Sequence, residues 1–316
     1  MPFTENFLND ASREIEVKSI KADFESVSEY IKRAVDAVAD QCDGLFSAED
    51  VDIYMHGSYA SKTNIYFPSS LEIVVELKQT EEFHPELVKP GDYHLYNNYF
   101  VNKLPLEFTP QSFRDLFFTK FCEIVGAKAS ESHKTISFES IGKVKHSVEI
   151  TPCFSFIFEG EGGEKYKGIL LYDQSMGSHI VSFPKRHAEN GKIKDIATKG
   201  NFKRTVRLFK SLNAIYAREF DVSQPGSATG YFIECLLYNV PNKLFLDNKG
   251  GEFSDIFLKV MNYLIHCDLD EFTCQNQVWQ LFGTAKEFWN IKRAGDFLGA
   301  IWHLYNVFPP SRDFLA

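Results

Sequence analysis

The chain has 316 residues, 44% of them apolar, enough to bury a sizeable core in one large or two intimately joined domains. Its net charge of −9 argues against a surface built throughout for nucleic acid. No apolar run reaches the roughly 20 residues that a membrane helix needs, and the acidic, polar start MPFTENFLND does not read as a signal peptide.

The six cysteines (Cys42, Cys122, Cys153, Cys235, Cys267, Cys274) are scattered, mostly inside apolar segments. Cys267 and Cys274 are the tightest pair, and even with His266 beside them they do not make a zinc knuckle. Buried free thiols in a reducing cytoplasm are expected.

In chain order, Ile15, Ile20, Phe24, Val27, Ile31, Val35 and Val38 recur at helical spacing and predict one long amphipathic spine helix over 13–42. Strands are expected at 51–56 and 70–77, followed by a loop over 79–98 rich in Pro, Glu and Tyr. Thr109-Pro110 opens a helix that runs to Val125, with Gly126 after its end. Segments 134–141 and 145–158 alternate as strands and predict a hairpin turning at Gly142-Lys143. The loop GEGGE at 160–164 leads to a short strand, Ile169 to Tyr172. Beyond residue 184 the pattern is mainly helical, over 200–217, 227–239, 253–267, 273–283 and 284–306. The fold class is therefore α+β: a mixed-sheet lobe with its spine helix over 1–185, and a helical lobe over 186–316. With no linker between them, the halves are expected to share a cleft.

Two strands carry acids on one face. On the first, Ser70, Glu72, Val74 and Glu76 alternate with Leu71, Ile73, Val75 and Leu77; on the second, Ser147, Glu149 and Thr151 alternate with Val148 and Ile150. Glu72 and Glu149 could thus lie side by side facing the Gly57-Ser58 turn. Mg²⁺ takes hard oxygen ligands, typically one or two carboxylates with phosphates and water. A two-metal clamp normally needs a third, bridging carboxylate. Taken singly, each acid would read as an ordinary solvent-facing strand residue.

The blocks HGSYASKTNIYFPSSLEIVV, SVEITPCFSF, GILLYDQSMGSHIVSFPKRHAENGKIKDIATKGNFKRTVRLFKSLN and GYFIECLLYNVPN occur in this order over most of residues 50 to 245. Together they resemble the polymerase β-like nucleotidyltransferases. More narrowly, they resemble the bacterial cGAS/DncV-like enzymes (CD-NTases), which make cyclic or linear oligonucleotide signals in antiphage (CBASS) defence. The resemblance implies that Gly57 and Ser58 hold phosphates of a nucleoside triphosphate, and that Glu72 and Glu149 are metal-binding carboxylates for Mg²⁺ or Mn²⁺. It puts Ser70 where the family has its first metal-binding Asp. Lys210 takes the place of the triphosphate-contacting lysine, with Lys203 and Arg207 on the same helix face. Gly230 stands where the family has a serine, followed by Tyr231, which can stack on a nucleobase.

These departures bear on catalysis. A serine hydroxyl cannot replace an anionic ligand, Glu for Asp moves each carboxylate outward by one methylene, and a misplacement of about 1 Å costs on the order of 10²-fold in rate. Three readings follow: a nucleotide-binding pseudoenzyme; an active nucleotidyltransferase with an altered metal arrangement using Glu72, Glu149 or Glu76; and a module whose 185–210 segment binds RNA, DNA or a protein regulator. That segment holds nine basic residues against two acids, a local charge of +7. His56, His133, His146, His179 and His187 have no partners at metal-ligand spacing and read as surface or packing residues. The C-terminal aromatics, from Trp279 to Tyr305, read as helix-packing core.

Overall fold

The computed structural model describes residues 3–67, 69–82, 108–126, 129–131, 134–144, 146–159, 163–175, 177–219, 228–246, 251–283 and 289–307. The chain divides into two compact units. One is built from Val17–Tyr59 and Ser69–Arg186, the other from Met1–Glu16, Ala60–Pro68 and His187–Ala316.

The first unit is a mixed sheet with helices packed on one face. Its strands are β1 (Val51–His56), β2 (Leu71–Glu82), β3 (Ser130–Glu131), β4 (Ile136–Phe138), β5 (Val148–Glu159), β6 (Lys165–Asp173) and β7 (Ser178–Ser182). β2 pairs antiparallel with β1 and parallel with β5. β5 is long enough to take two partners on its other edge, β4 beside 148–150 and β6 beside 154–159. The predicted alternation holds on β2: Leu71, Ile73, Val75 and Leu77 enter one core with Val148, Ile150 and Phe154 of β5. Helices α2 (Ile20–Gln41) and α4 (Pro110–Val125) add Val27, Ile31, Val35 and Val38, and Phe113, Phe117 and Phe121, to the same core. α4 begins and ends as expected. Thr109 Oγ1 accepts from Ser112 N, Ser112 Oγ accepts from Thr109 N, and Gly126 closes the helix at φ +61°.

Several elements differ from the sequence expectation. The spine helix starts at Ile20, not residue 13, and is preceded by a separate α1 (Glu5–Ala11). The intervening carbonyls have partners outside any helix: Ser12 O accepts from Arg207, and Ile15 O from Asn64. β2 runs on to Glu82, so 79–82 are strand; 83–98 of the expected loop lie outside the described residues. Pairing in the hairpin is confined to 136–138 against 148–150, with Gly142 at φ +58° in the turn.

The second unit is helical. α6 (Asn201–Glu219), α7 (Gly230–Tyr238), α9 (Phe253–His266) and α10 (Ile291–Val307) bury Phe202, Phe209, Phe232, Phe257, Phe297 and Leu304 in one core, with α8 (Asn242–Leu246) adding Phe245. α5 (Pro184–Ala197) precedes them, and a five-residue turn of helix, α3 (Gly57–Ser61), follows β1. The helix expected over 273–283 is absent. Asn276 Oδ1 accepts from the backbone of Val278 and Trp279, Gln277 takes φ +57°, and residues 273 and 280 form an isolated bridge instead. The last helix starts at Ile291 because Asn290 caps it, its Oδ1 accepting from Arg293 N at 2.8 Å. Among the described residues no helix is long and apolar enough to cross a membrane.

Candidate functional site

Strand register assembles an acidic row on the first unit. Across the first unit, His56, Glu72, Glu149 and Ser137 form one row over β1, β2, β5 and β4. The next row, Met55, Ile73, Ile150 and Ile136, is apolar and belongs to the core. Neighbouring strands lie about 4.8 Å apart, so the Glu72 and Glu149 stems stand side by side, as the alternation predicts. His56 Nε2 lies 3.7 Å from Glu72 Oε2.

The Gly57-Ser58 turn lies against this row. Gly57 has φ +69°, and a Cβ there would overlap the Glu72 carboxylate. Glycine is thus required twice, for its backbone conformation and for the close approach of the acid. The Ser58 and Ser69 hydroxyls are buried, with no hydrogen-bond partner among the described residues. Such groups cost about 1–3 kcal/mol each unless a ligand or water completes them.

Ser70 accepts a hydrogen bond from the Ser147 hydroxyl at 3.1 Å. Glu76 is not a spare ligand. Tyr54 Oη, Ser155 Oγ and Lys185 Nζ each lie 2.8 Å from its carboxylate, and Lys185 also pairs with Asp52. Burial and the Glu76 charge push the Tyr54 hydroxyl pKa far up, so it stays a proton donor in this cluster. Among the described residues no group of three or more His, Cys, Asp or Glu side chains is arranged for a metal ion. The donor set fits one hard cation shared by Glu72 and Glu149 with phosphate oxygens and water; it does not fit a pair of ions bridged by protein carboxylates.

The second unit carries a group of cations. Lys203, Arg207 and Lys210 share a stripe of α6, but their environments differ. Arg207 is buried and donates to the carbonyls of Ser12 and Lys62, both at 2.8 Å, so it ties chain segments together. Lys203 is half-buried, and burial pulls its amine pKa down. Lys210 is buried; its Nζ lies 2.5 Å from Glu234 Oε1 and 3.0 Å from Thr63 Oγ1. Gly230 makes room for it, since a Cβ there would come within 3.1 Å of Lys210 Cε. Tyr231 is 45% exposed and stacks on His187, the centroids 5.0 Å apart at 23°.

Glu234 and Thr63 were not singled out by sequence reasoning, and His187, read there as a surface or packing residue, is buried against Glu234. His187 Nε2 lies 2.7 Å from Glu234 Oε2, and Thr63 donates to Oε1 at 2.7 Å. Burial pushes the Glu234 carboxyl up, but the Lys210 charge and the His187 bond more than cancel it and hold the carboxyl well below the usual carboxylate range. The usable signal was a lone acid within the apolar run GYFIECLLY, since a buried carboxylate must have a partner. The 185–210 segment is likewise not a uniform basic surface. Lys194, Arg207 and Lys210 are buried, whereas Lys185, Lys192 and Lys199 are exposed.

Comparison with known proteins places these features in a family. A model of the cGAS/DncV-like nucleotidyltransferase C-terminal helical domain matches residues 189–306. The cyclic UMP-AMP synthase of Rhodothermus marinus is 30% identical over 263 residues, covering 78% of this chain and 82% of that protein. The cyclic nucleotide synthase CdnE01 of Staphylococcus haemolyticus is 29% identical over 266 residues, covering 81% and 85%. The solved structure of Rhodothermus marinus CdnE c-UMP-AMP synthase with Apcpp and Upnpp superposes with a TM-score of 0.76 at 25% identity, covering 98% of this chain and 99% of that one. Helical C-terminal half, acidic strand pair and Gly-Ser turn thus share one explanation: the chain belongs to the bacterial cGAS/DncV-like nucleotidyltransferases.

Proposed function

We propose that this chain is a nucleoside-triphosphate-binding CD-NTase of CBASS-type signalling in which synthase turnover is weak or lost. The observation that carries the reading is the Glu72–Glu149 pair with a serine as its third member, that serine already engaged by Ser147. Glu72 and Glu149 would hold a single Mg²⁺ or Mn²⁺, which when bound offsets phosphate charge. Gly57 offers close backbone approach, and the Ser58 hydroxyl, which has no hydrogen-bond partner among the described residues, is a donor for a phosphate oxygen. On the helical unit, Lys210 and Lys203 are the cations for phosphate and Tyr231 the surface for a base. Relatives described as cyclic nucleotide synthases, and a neighbour solved with two nucleotide analogues, support this ligand class. The free thiols suit a reducing cytoplasm. For an RNA, DNA or protein regulator at 185–210, the support narrows to the exposed Lys192 and Lys199.

The test is incubation with labelled NTPs and Mg²⁺ or Mn²⁺, alongside calorimetric NTP binding. The expected result is binding with little or no oligonucleotide product, and tighter Mg²⁺-dependent binding in Ser70→Asp. Robust product that vanishes in Glu72→Ala would establish instead an active enzyme with an altered metal site. Unchanged metal dependence in Ser70→Asp would show that the strand pair is not a metal site.

A further inference from the structure

We infer that Glu234 is a positioning residue that couples the two ends of a bound nucleotide, one carboxylate oxygen holding the phosphate-side lysine and the other the support of the base-side tyrosine. This rests on Lys210 and Tyr231 being nucleotide contacts, as proposed above.

Glu234 follows Gly230 by four residues and Tyr231 by three on α7, so all three lie along one side of that helix. Its Oε1 takes both Lys210 Nζ, at 2.5 Å, and Thr63 Oγ1, at 2.7 Å. Lys210 Nζ also donates to Thr63 Oγ1 at 3.0 Å, closing a triangle that fixes the ammonium. An ammonium has three N–H donors. Two are spent inside this triangle, and one is left for a phosphate oxygen.

Its Oε2 accepts from His187 Nε2 at 2.7 Å. Because Glu234 is held ionised, it accepts, and Nε2 carries the proton. His187 Nδ1 is buried and has no partner among the described residues, so Glu234 supplies the one hydrogen bond that orients this ring. The oriented ring then carries Tyr231, stacked at 5.0 Å. The path from lysine to tyrosine thus consists of three contiguous contacts through a single ionised group. Any shift of Lys210 toward a phosphate moves the charge that holds His187.

The experiment uses the full chain and three probes: inorganic tripolyphosphate, a non-hydrolysable NTP, and the matching nucleoside monophosphate. In the wild type, tripolyphosphate alone should shift the ¹⁵N resonances of His187, assigned by their loss in His187→Gln, although this probe carries no base. In Glu234→Gln, NTP affinity should fall at least about ten-fold, more than monophosphate affinity. In a Lys210→Met background the same substitution should cost little further, the non-additivity expected of groups in one network. A His187 signal that ignores tripolyphosphate, or Glu234→Gln with unchanged NTP affinity, overturns the inference. The His187 measurement needs no variant that must bind nucleotide. If the wild type binds none of the three probes, the nucleotide reading itself falls, which is a separate outcome.

Discussion

Lys194 provides a test of the helical unit that is independent of any ligand. Its amine is buried on α5, donating to Val240 O and Asn242 Oδ1, both at 2.8 Å. The rings of Phe202, Tyr238 and Phe245 surround it at 5.3 to 5.6 Å. Two effects compete. The aromatic faces favour the charge, by about 0.5–2 kcal/mol for such contacts. Burial disfavours it and wins, pulling the pKa down to about 8. The two acceptors also use both hydrogens of a neutral amine and, among the described residues, offer no third hydrogen-bond acceptor for an ammonium.

The sign follows from proton counting. Below pH 8 both the folded and the unfolded chain carry the proton. Between pH 8 and about 10.4, the ordinary lysine value, the unfolded chain keeps it and the fold has released it, so stability rises with pH. At about 1.4 kcal/mol per pH unit, the gain across this window is roughly 3 kcal/mol, levelling off above it. The assay is urea unfolding at a series of pH values for the wild type and for Lys194→Met. Their difference cancels every other group that titrates in the range. Parallel curves, or a wild type that weakens relative to Lys194→Met as pH rises, would refute the argument.

The remaining predictions concern the sheet unit. Gly57→Ala places a Cβ on the Glu72 carboxylate at a left-handed backbone position. It should destabilise the unit by more than the roughly 1–2 kcal/mol of the backbone conformation alone and abolish Mg²⁺-dependent NTP binding. A variant that binds NTP as the wild type does would show that the turn does not need this approach. Glu76→Gln removes the charge facing Lys185 from a carboxylate that Tyr54 and Ser155 also use. It should cost about 1–3 kcal/mol in urea unfolding and leave NTP affinity unchanged. Lost affinity without lost stability would put Glu76 in the site after all.

Much of the sheet unit was legible because strands write their faces directly into sequence. The alternation at 70–77 and 147–151 was enough to put Glu72 beside Glu149, and the structure has them in register. Caps were equally readable: Thr109-Pro110 and Gly126 bound α4 as expected. Expectations failed where a side chain diverted the backbone. Asn276 accepts from two backbone N–H groups and breaks a pattern that looks helical over 273–283. Asn64 and Arg207 capture carbonyls in the 12–15 stretch that periodicity assigns to the spine helix. In the site, the carbonyl ties of Arg207 and the burial of Lys194 were illegible because a stripe of cations looks the same whether it faces solvent or main chain. Glu234 was hidden for the converse reason: its partners come from Thr63, His187 and Lys210, far apart along the chain.

The helical unit is threaded from separate pieces of chain, and this bears on how the protein can be made. Residues 60–68 leave the sheet unit and return to it at Ser69, yet Lys62 and Thr63 bond to side chains of α6. At translation speeds of about 5–20 residues per second, roughly seven to thirty seconds separate the synthesis of Thr63 from that of Lys210. During that interval the early pieces must wait without their partners while the sheet around them is completed. A fragment beginning at His187 would carry Arg207 and Lys210 stripped of Ser12, Lys62 and Thr63. No single cut in the gene therefore separates two intact halves, and recombination at such a point would deliver broken ones.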